Sequence, residues 1–358
     1  MARRLIRMGM WFAAALALCG PSRAADPQRI VAVGDLHGDH QAWRAIARAA
    51  RLIDQRGHWT GGRATLVQVG DVVDRGPDSL KIIDDMERLR REARRSGGQV
   101  VVLVGNHEAM MLTGDLRYVH PGEYRAFVTS RSEALRNATY EAQRKVIEAA
   151  AYAKDPSISP AAVREAWMRQ VPLGMVEHQQ AWSPDGRLGR WAIGNPAAVR
   201  IGDTLFVHGG ISSTYAGLSL EEINRRVADA LRARSEDPMA IINDSLGPLW
   251  YRGLLLRSEE EERPRPDRPA GSGTAPAPRP TIEQELDLVL TNYRVRRVVV
   301  GHTPALRGIA VRNGGKLVQV DSGISAYYGG TLSFLEIQRD RLTAHTVPRP
   351  STSSTGRR

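Results

Sequence analysis

Residues 31–39, which read V-A-V-G-D-L-H-G-D, indicate a buried strand that ends in a tight turn carrying a carboxylate and an imidazole. The apolar residues 30–33 would form the strand, and glycines flank the turn that follows. Asp35 and His37 are two positions apart, so both side chains can face one cavity at the C-terminal end of the strand. A D-x-H pattern is common by chance, so its meaning depends on whether similar turns follow.

Four further apolar segments end in polar turns of this kind. They read G-D-V-V-D-R-G at 70–76, G-N-H-E at 105–108, H-G-G at 208–210 and G-H-T-P at 301–304. The carboxyl ends of the strands of an α/β fold meet at one edge, so we expect these turns to converge there. The candidate metal ligands are Asp35, His37, Asp71, Asn106, His208 and His302.

The candidate ligands are oxygen and nitrogen donors without a thiolate. Such donors suit Mn, Fe, Zn, Ni or Mg rather than Cu(I) or an iron–sulfur cluster. Asp71 is the candidate that would serve two ions, because a carboxylate can bridge. Two ions about 3.5–4 Å apart can stabilise an in-line displacement at phosphorus and deprotonate a bridging water near neutral pH.

The composition is that of an ordinary soluble enzyme. The chain has 358 residues, of which 42% are hydrophobic and 25% charged, enough for one large domain or two small ones. The net charge of +11 favours anionic partners, but charges of both signs are interspersed, and an arginine-rich composition explains the excess equally well. No nucleic-acid motif is present, so no nucleic-acid partner is expected.

The first 24 residues have the pattern of a cleavable signal peptide. A basic start precedes a short apolar core and a small-x-small end, which predicts cleavage after Ala24 and a periplasmic or secreted protein. The apolar run is too short for a permanent membrane span. A lipoprotein anchor at Cys19 is not expected, because Leu18 is too large for the position before the cysteine. Cys19 is the only cysteine, so the mature chain would have neither a disulfide nor a thiolate.

The periodicity after the first motif predicts an α/β domain over residues 25–348. Helices over 41–52 and 79–95 alternate with strands over 30–33, 65–69 and 99–104, which predicts a parallel arrangement. Residues 115–180 are predicted to be a helical insertion, 263–280 a Pro-rich flexible loop and 349–358 a disordered tail. The other predicted elements are strands within 191–207, helices over 219–234 and 282–293, a strand over 295–300, and hairpins over 309–320 and 331–347.

The ordered set of five motifs resembles the calcineurin-like metallophosphoesterases, and more closely their phosphoprotein phosphatase branch. The block 105–119, together with G-P-L-W-Y-R-G at 247–253, resembles the Shewanella-like protein phosphatases. The resemblance extends over about residues 29–335. It implies a four-layer α/β/β/α sandwich.

The resemblance also distributes the candidate ligands between two metals. Metal one would be held by Asp35, His37 and Asp71, and metal two by Asp71, Asn106, His208 and His302. Many metallophosphoesterases end their last motif in G-H-x-H, but here Pro304 replaces the final histidine. Metal one would therefore keep fewer protein ligands and more water. Manganese is the expected metal, with Fe, Zn, Ni or Mg as alternatives.

By the same resemblance, His107 would protonate the leaving group, with Asp74 orienting its ring and raising its pKa. Substrate phosphate would be bound by Arg75, Asn106 and Arg252, since a guanidinium makes paired bonds to phosphate. Two other interpretations stay open at this point. Asp74 and Arg75 can form a structural ion pair, and Arg252 a surface salt bridge.

The implied activity is hydrolysis of phosphomonoesters by direct attack of a hydroxide bound to both metals. The implied substrates are phosphoproteins, with phosphotyrosine among them, or small phosphoesters. One alternative is a hydrolase of dinucleoside polyphosphates or nucleotides. Another is a non-catalytic metal- or anion-binding protein, although a binder would not need the acid and clamp residues His107, Asp74 and Arg75. Tyr327 or Tyr328 would close the site or serve a structural role.

Overall fold

The computed structural model describes residues 29–257 and 280–350. The predicted signal peptide, all but one residue of the predicted Pro-rich loop and residues 351–358 of the predicted tail lie outside the described residues. Within the described ranges, every helix is too short or too polar to cross a bilayer.

The helices and strands alternate at the start of the chain and end in two hairpins. The strands are β1 (Arg29–Val33), β2 (Thr65–Gln68), β3 (Gln99–Val102), β4 (Ala198–Ile201), β5 (Thr204–Val207), β6 (Arg297–Val300), β7 (Ala310–Arg312), β8 (Leu317–Gln319), β9 (Leu332–Gln338) and β10 (Arg341–Val347). The α-helices are α1 (His40–Ala49), α2 (Ser79–Arg95), α3 (Asn106–Thr113), α4 (Pro121–Arg125), α5 (Ser132–Tyr152), α6 (Pro160–Gln170), α7 (Met175–Ala181), α8 (Arg187–Ile193), α9 (Leu220–Arg232) and α10 (Ile282–Tyr293).

The strands form two mixed five-stranded sheets. The first has the order β10-β9-β1-β2-β3, with β1, β2 and β3 parallel. The second has the order β4-β5-β6-β8-β7, with β5, β6 and β8 parallel. The antiparallel strands lie on one side of the first sheet, where β3 is the opposite edge, and on both sides of the second. In each sheet the three parallel strands are neighbours and deliver their carboxyl ends to one edge.

Alternate side chains of each strand pack against different layers. In β1, Ala32 belongs to an apolar cluster that it shares with Phe206 and Val299 of the second sheet. Its neighbour Val31 packs instead with Trp43 of α1 in the core under the helices. This two-residue alternation places the sheets face to face with helices outside. The four-layer α/β/β/α sandwich predicted from the sequence is thereby confirmed.

The insertion after α3 contains a run of helices. Helices α4 to α7 lie between residues 121 and 181, and α5 contacts both α6 and α7. The Tyr140 ring of α5 lies 5.3 Å from the Trp167 ring of α6, centroid to centroid.

The prediction that strands resume at Trp191 was wrong. Trp191 lies in α8, and the first strand after the insertion begins at Ala198. Leu188, Trp191 and Ala192 are buried at helical spacing, three and four positions apart, so an amphipathic helix buries all three on one face.

Candidate active site

The candidate ligands converge at one edge of the two sheets. Asp35 and His37 follow β1, Asp71 follows β2, and Asn106 opens α3 just after β3. On the second sheet, the two histidines His208 and His302 follow β5 and β6. All six side chains are buried, with at most 6% of any residue exposed.

Two groups of donor atoms each lie within 4.8 Å of one another. One comprises His37, Asp71 and His107, and the other comprises Asp71, His208 and His302. Asn106 joins the second group, because its Oδ1 lies 3.0 Å from Nε2 of His208. Asp71 belongs to both groups, which is the arrangement that a bridging carboxylate requires.

Asp35 lies at the border of the cluster rather than within either group. Both of its carboxylate oxygens accept hydrogen bonds from the backbone N–H of His302, at 3.2 and 3.1 Å. Burial raises the pKa of Asp35 well above its usual value, and the nearby charges of Asp321 and Asp71 raise it further. A cation beside this carboxylate would offset both effects.

Backbone carbonyls orient two of the imidazoles. Nδ1 of His37 lies 2.9 Å from the Val73 carbonyl, and Nδ1 of His208 lies 2.8 Å from the Val69 carbonyl. In both rings Nδ1 therefore carries a hydrogen, and Nε2 faces the cluster. Burial lowers the pKa of His37 to about 3, so its imidazole is neutral, as a metal ligand must be.

The backbone of the site adopts a rarely populated conformation. His37, Asp71, Asp74, Arg75 and His302 all have positive φ, at 42°, 55°, 70°, 65° and 62°. Residues with a Cβ seldom occupy this region, and the surrounding structure must hold them there.

Glu108 holds the strained turn of Asp71, a role that the sequence analysis did not assign. Its Oε2 accepts from the backbone N–H groups of Asp71 and Gly105, at 3.0 and 2.8 Å, and its Oε1 accepts from Val72 at 2.8 Å. The side chain is fully buried. The sequence did contain an indication of this role. Glu108 is an acid in the first turn of a helix, where a carboxylate can accept hydrogen bonds from free backbone N–H groups.

His107 and Asp74 form a close pair beside the donor cluster. Nδ1 of His107 lies 2.5 Å from Oδ2 of Asp74, and Nε2 lies 3.9 Å from Oδ2 of Asp71. Burial alone would lower the pKa of His107, but the carboxylates of Asp71 and Asp74 outweigh burial and raise it. The pair therefore favours a protonated imidazole whose Nε2 faces the cluster.

Arg75 lies between this pair and three tyrosine rings. Its Nη2 is 3.4 Å from Nε2 of His107, and its Cζ is 4.7, 4.8 and 5.0 Å from the ring centres of Tyr118, Tyr327 and Tyr328. Arg75 has no ion-pair partner within 4.0 Å among the described residues 29–257 and 280–350. The neighbouring carboxylate, Asp74, bonds to His107 instead.

Arg252 lies on the second-sheet side of the site. The residue is exposed, and its Nη2 is 3.5 Å from the carbonyl oxygen of His302. It too lacks an ion-pair partner within the described residues, so the structure shows no surface salt bridge for it there.

The donor set fits a pair of divalent metal ions. Nε2 of His302 is buried without a hydrogen-bond partner in the described structure, which is costly unless another group occupies that side. Asp71 has only imidazoles as ion-pair partners in the same residues. Buried oxygen and nitrogen donors with this arrangement are chemically suited to Mn²⁺, Zn²⁺ or Fe.

The sandwich fold and a metal-binding cluster at its strand ends define a class of metal-dependent hydrolases. The chain belongs to the calcineurin-like phosphoesterase family, whose profile matches residues 28–306. It is therefore a phosphoester hydrolase of a family that uses a dinuclear metal centre.

Relatives of known name support the same family. Shewanella-like protein phosphatase 2 of Arabidopsis thaliana is 32% identical over 326 residues, covering 89% of this chain and 77% of the relative. An uncharacterized protein of Schizosaccharomyces pombe is 28% identical over 323 residues, covering 88% and 78%. The crystal structure of a cold-active protein-tyrosine phosphatase from a psychrophilic Shewanella species covers 90% of this chain and 81% of that chain, with 25% identity and a TM-score of 0.61. The sequence-based assignment to the Shewanella-like phosphatases is confirmed.

Proposed function

We propose that this enzyme is a phosphomonoesterase that acts on phosphorylated protein and prefers phosphotyrosine. The observation that carries the proposal is the placement of Arg75 between the His107–Asp74 pair and three tyrosine rings, directly beside the donor cluster. The similarity to a protein-tyrosine phosphatase of Shewanella supports the same preference.

Asp35, His37 and Asp71 would hold one metal ion, and Asp71, Asn106, His208 and His302 the other. When bound, such a pair supplies Lewis acidity and lowers the pKa of a water molecule. Manganese is our proposed metal, on the basis of the oxygen and nitrogen donors.

His107 is proposed as the proton donor to the leaving oxygen. Asp74 fixes Nδ1 of the ring, so the proton to be transferred is on Nε2, the atom that faces the cluster. A histidine that binds a metal must have a neutral ring, whereas the contact with Asp74 stabilises the charged ring of His107. His107 is therefore better suited to donate a proton than to serve as a further metal ligand.

Arg75 and Arg252 are proposed to bind the phosphate from two sides. Arg75 forms no ion pair within the described residues, so its guanidinium is free to bind phosphate oxygens. Oδ1 of Asn106 faces His208, so its amide NH₂ can also donate to phosphate.

The preference for an aryl ester comes from the exposed tyrosines. Tyr327 is 64% exposed and Tyr118 is 39% exposed, although large aromatic side chains are usually covered. Aromatic rings that line a site stabilise a stacked or edge-on ring by about 0.5–1.5 kcal/mol beyond burial. A phenyl leaving group above Arg75 would meet these rings, whereas a serine side chain would not reach them.

A substrate panel tests the proposal. With Mn²⁺ added, kcat/KM is expected to be highest for a phosphotyrosine peptide, roughly tenfold lower for a matched phosphoserine peptide, as about 1.4 kcal/mol of ring contact would give, and lowest for diadenosine tetraphosphate. The order would be reversed if the rings instead stacked on adenine in a dinucleoside polyphosphatase. Absence of turnover on all three substrates would contradict the proposal altogether.

Export from the cytoplasm is part of the same proposal and rests on the sequence of residues 1–24. N-terminal sequencing of the protein purified from its native cell is expected to begin at Ala25. A protein that still carries residues 1–24 in the soluble cytoplasmic fraction would contradict export.

A further inference from the structure

One buried acid outside the predicted ligand set lies at the same edge of the sheets. Asp321 follows β8, which pairs in parallel with β6 so that Gln319 lies opposite Val300. The pairing continues beyond the strands, because the N–H of Val320 donates to the Val300 carbonyl at 2.8 Å. Asp321 therefore stands at the level of His302 on the neighbouring strand.

Asp321 also contacts the turn that follows β1. A Cβ placed on Gly34 would lie 2.8 Å from Cα of Asp321, so the two backbones are in direct contact just before Asp35. The Asp321 carbonyl accepts from the N–H of Ala305 at 2.8 Å, which places it beside Pro304. The backbone of Asp321 thus lies between the turn that carries Asp35 and the segment at Pro304 and Ala305.

Asp321 is buried and forms no ion pair within the part of the chain that the structure describes. Only 1% of the residue is exposed, and its Oδ1 accepts from the N–H of Gly323 at 2.9 Å. Burial, together with the nearby charge of Asp71, raises the pKa of Asp321 to about 6. Within the described residues neither Asp35, Asp71 nor Asp321 has a lysine or arginine within 4.0 Å, although buried carboxylates are normally paired or bound to a cation.

We propose that Asp321 is a positioning residue of the metal site, and that its carboxylate supplies the negative charge by which the ion held by Asp35 and His37 is bound tightly. The inference rests on the proposed use of these residues as metal ligands.

Asp321→Asn separates charge from structure. Asparagine has nearly the same shape, and its Oδ1 can still accept from Gly323, so the turn is kept while the charge is removed. Titration of the metal-free protein with Mn²⁺ by calorimetry is expected to show two sites in the wild type. In the variant one of these sites is expected to be about 10–100-fold weaker and the other unchanged.

The control is Asp340→Asn, which removes an exposed carboxylate at the turn between β9 and β10 and is expected to leave both affinities unchanged. Melting temperatures give a second measurement. Without metal, Asp321→Asn is expected to melt at or above the wild-type temperature, since repulsion between carboxylates is relieved, and with saturating Mn²⁺ it is expected to gain less stability.

Three results would count against the inference. Unchanged affinity at both sites in Asp321→Asn would overturn it. A variant that melts lower than the wild type without metal, with an undiminished gain from Mn²⁺, would assign Asp321 a purely structural role. If the wild type itself bound no Mn²⁺, the proposed assignment of the metal ligands would be wrong, and this inference, which depends on it, would be wrong as well.

Discussion

The floor and the rim of the site are built in different ways. The floor consists of the six buried candidate ligands that follow the strands of the two sheets, namely Asp35, His37, Asp71, Asn106, His208 and His302. The rim consists of Tyr118, Tyr327, Tyr328 and Arg252, which lie on connecting segments and are wholly or partly exposed. The contrast indicates that the sheets fix the chemistry, whereas the connections decide which ester reaches it.

The largest loss of activity is expected from a substitution in the floor. Asp71→Asn removes the carboxylate shared by both donor groups, and we expect kcat/KM to fall by about 10³-fold or more for every substrate, because several kcal/mol of charge stabilisation is lost. Steady-state kinetics and metal content measure the result. Asp340→Asn is the surface control. A variant that kept two ions and near wild-type turnover would refute the shared role.

His107→Asn tests the residue that lies between floor and rim. The loss is expected to depend on the leaving group, about 10²-fold for alkyl phosphates and far less for nitrophenyl phosphate, which needs little protonation. His58→Asn, which changes an exposed histidine, should behave as the wild type. Equal losses of activity on both substrates would show that His107 does not protonate the leaving group.

Glu108→Gln tests how firmly the floor is held. Glutamine has one acceptor oxygen where the carboxylate uses two, so at least one of three buried N–H groups loses its partner. We expect the free energy of unfolding to fall by about 2 kcal/mol or more, measured by denaturant titration. The exposed Glu165→Gln is the matched control. An unchanged free energy of unfolding would show that the turn at Asp71 keeps its conformation without the hydrogen bonds to Glu108.

Tyr327→Leu tests the rim and should change selectivity rather than chemistry. We expect kcat/KM for a phosphotyrosine peptide to fall about 3–10-fold, with the phosphoserine value nearly constant. Tyr327→Phe keeps the ring and should keep the preference. If the leucine variant lost both activities equally, the ring would serve only to position Arg75.

The smallest effect is expected in α4, behind the rim, and only at alkaline pH. Burial raises the pKa of Glu123 to about 8 from 4.5, so between these values the folded protein holds a proton that the unfolded chain has lost. Stability contributed by this group therefore falls as the pH rises through this window. Glu123→Gln, which can still accept from Ser79, should melt on the order of 3 °C higher than the wild type at pH 8.5 but equally at pH 5. A difference that does not depend on pH would argue against a buried, protonated Glu123.

The convergence of the candidate ligands could be predicted from the sequence, because each of them follows a short apolar run and lies next to a glycine. That pattern fixes both the strand and its end, and parallel strands bring their ends together. The fold class, the family and the class of reaction were confirmed.

The rim and the supports of the floor could not be predicted, because their contacts join distant segments. Tyr118 and Tyr327 are 209 positions apart in the numbering, yet both rings contact Arg75. Nothing local distinguishes Asp321 from any acid that follows a strand. Trp191 was misassigned to a strand because its apolar neighbours fit either period over so short a run.

The placement of the candidate ligands on both sheets has a consequence for how the site forms. His302 is the last of the six to be synthesised, and neither sheet alone offers both donor groups. A growing chain therefore cannot assemble both donor groups until most of it has left the ribosome and the two sheets have closed on each other.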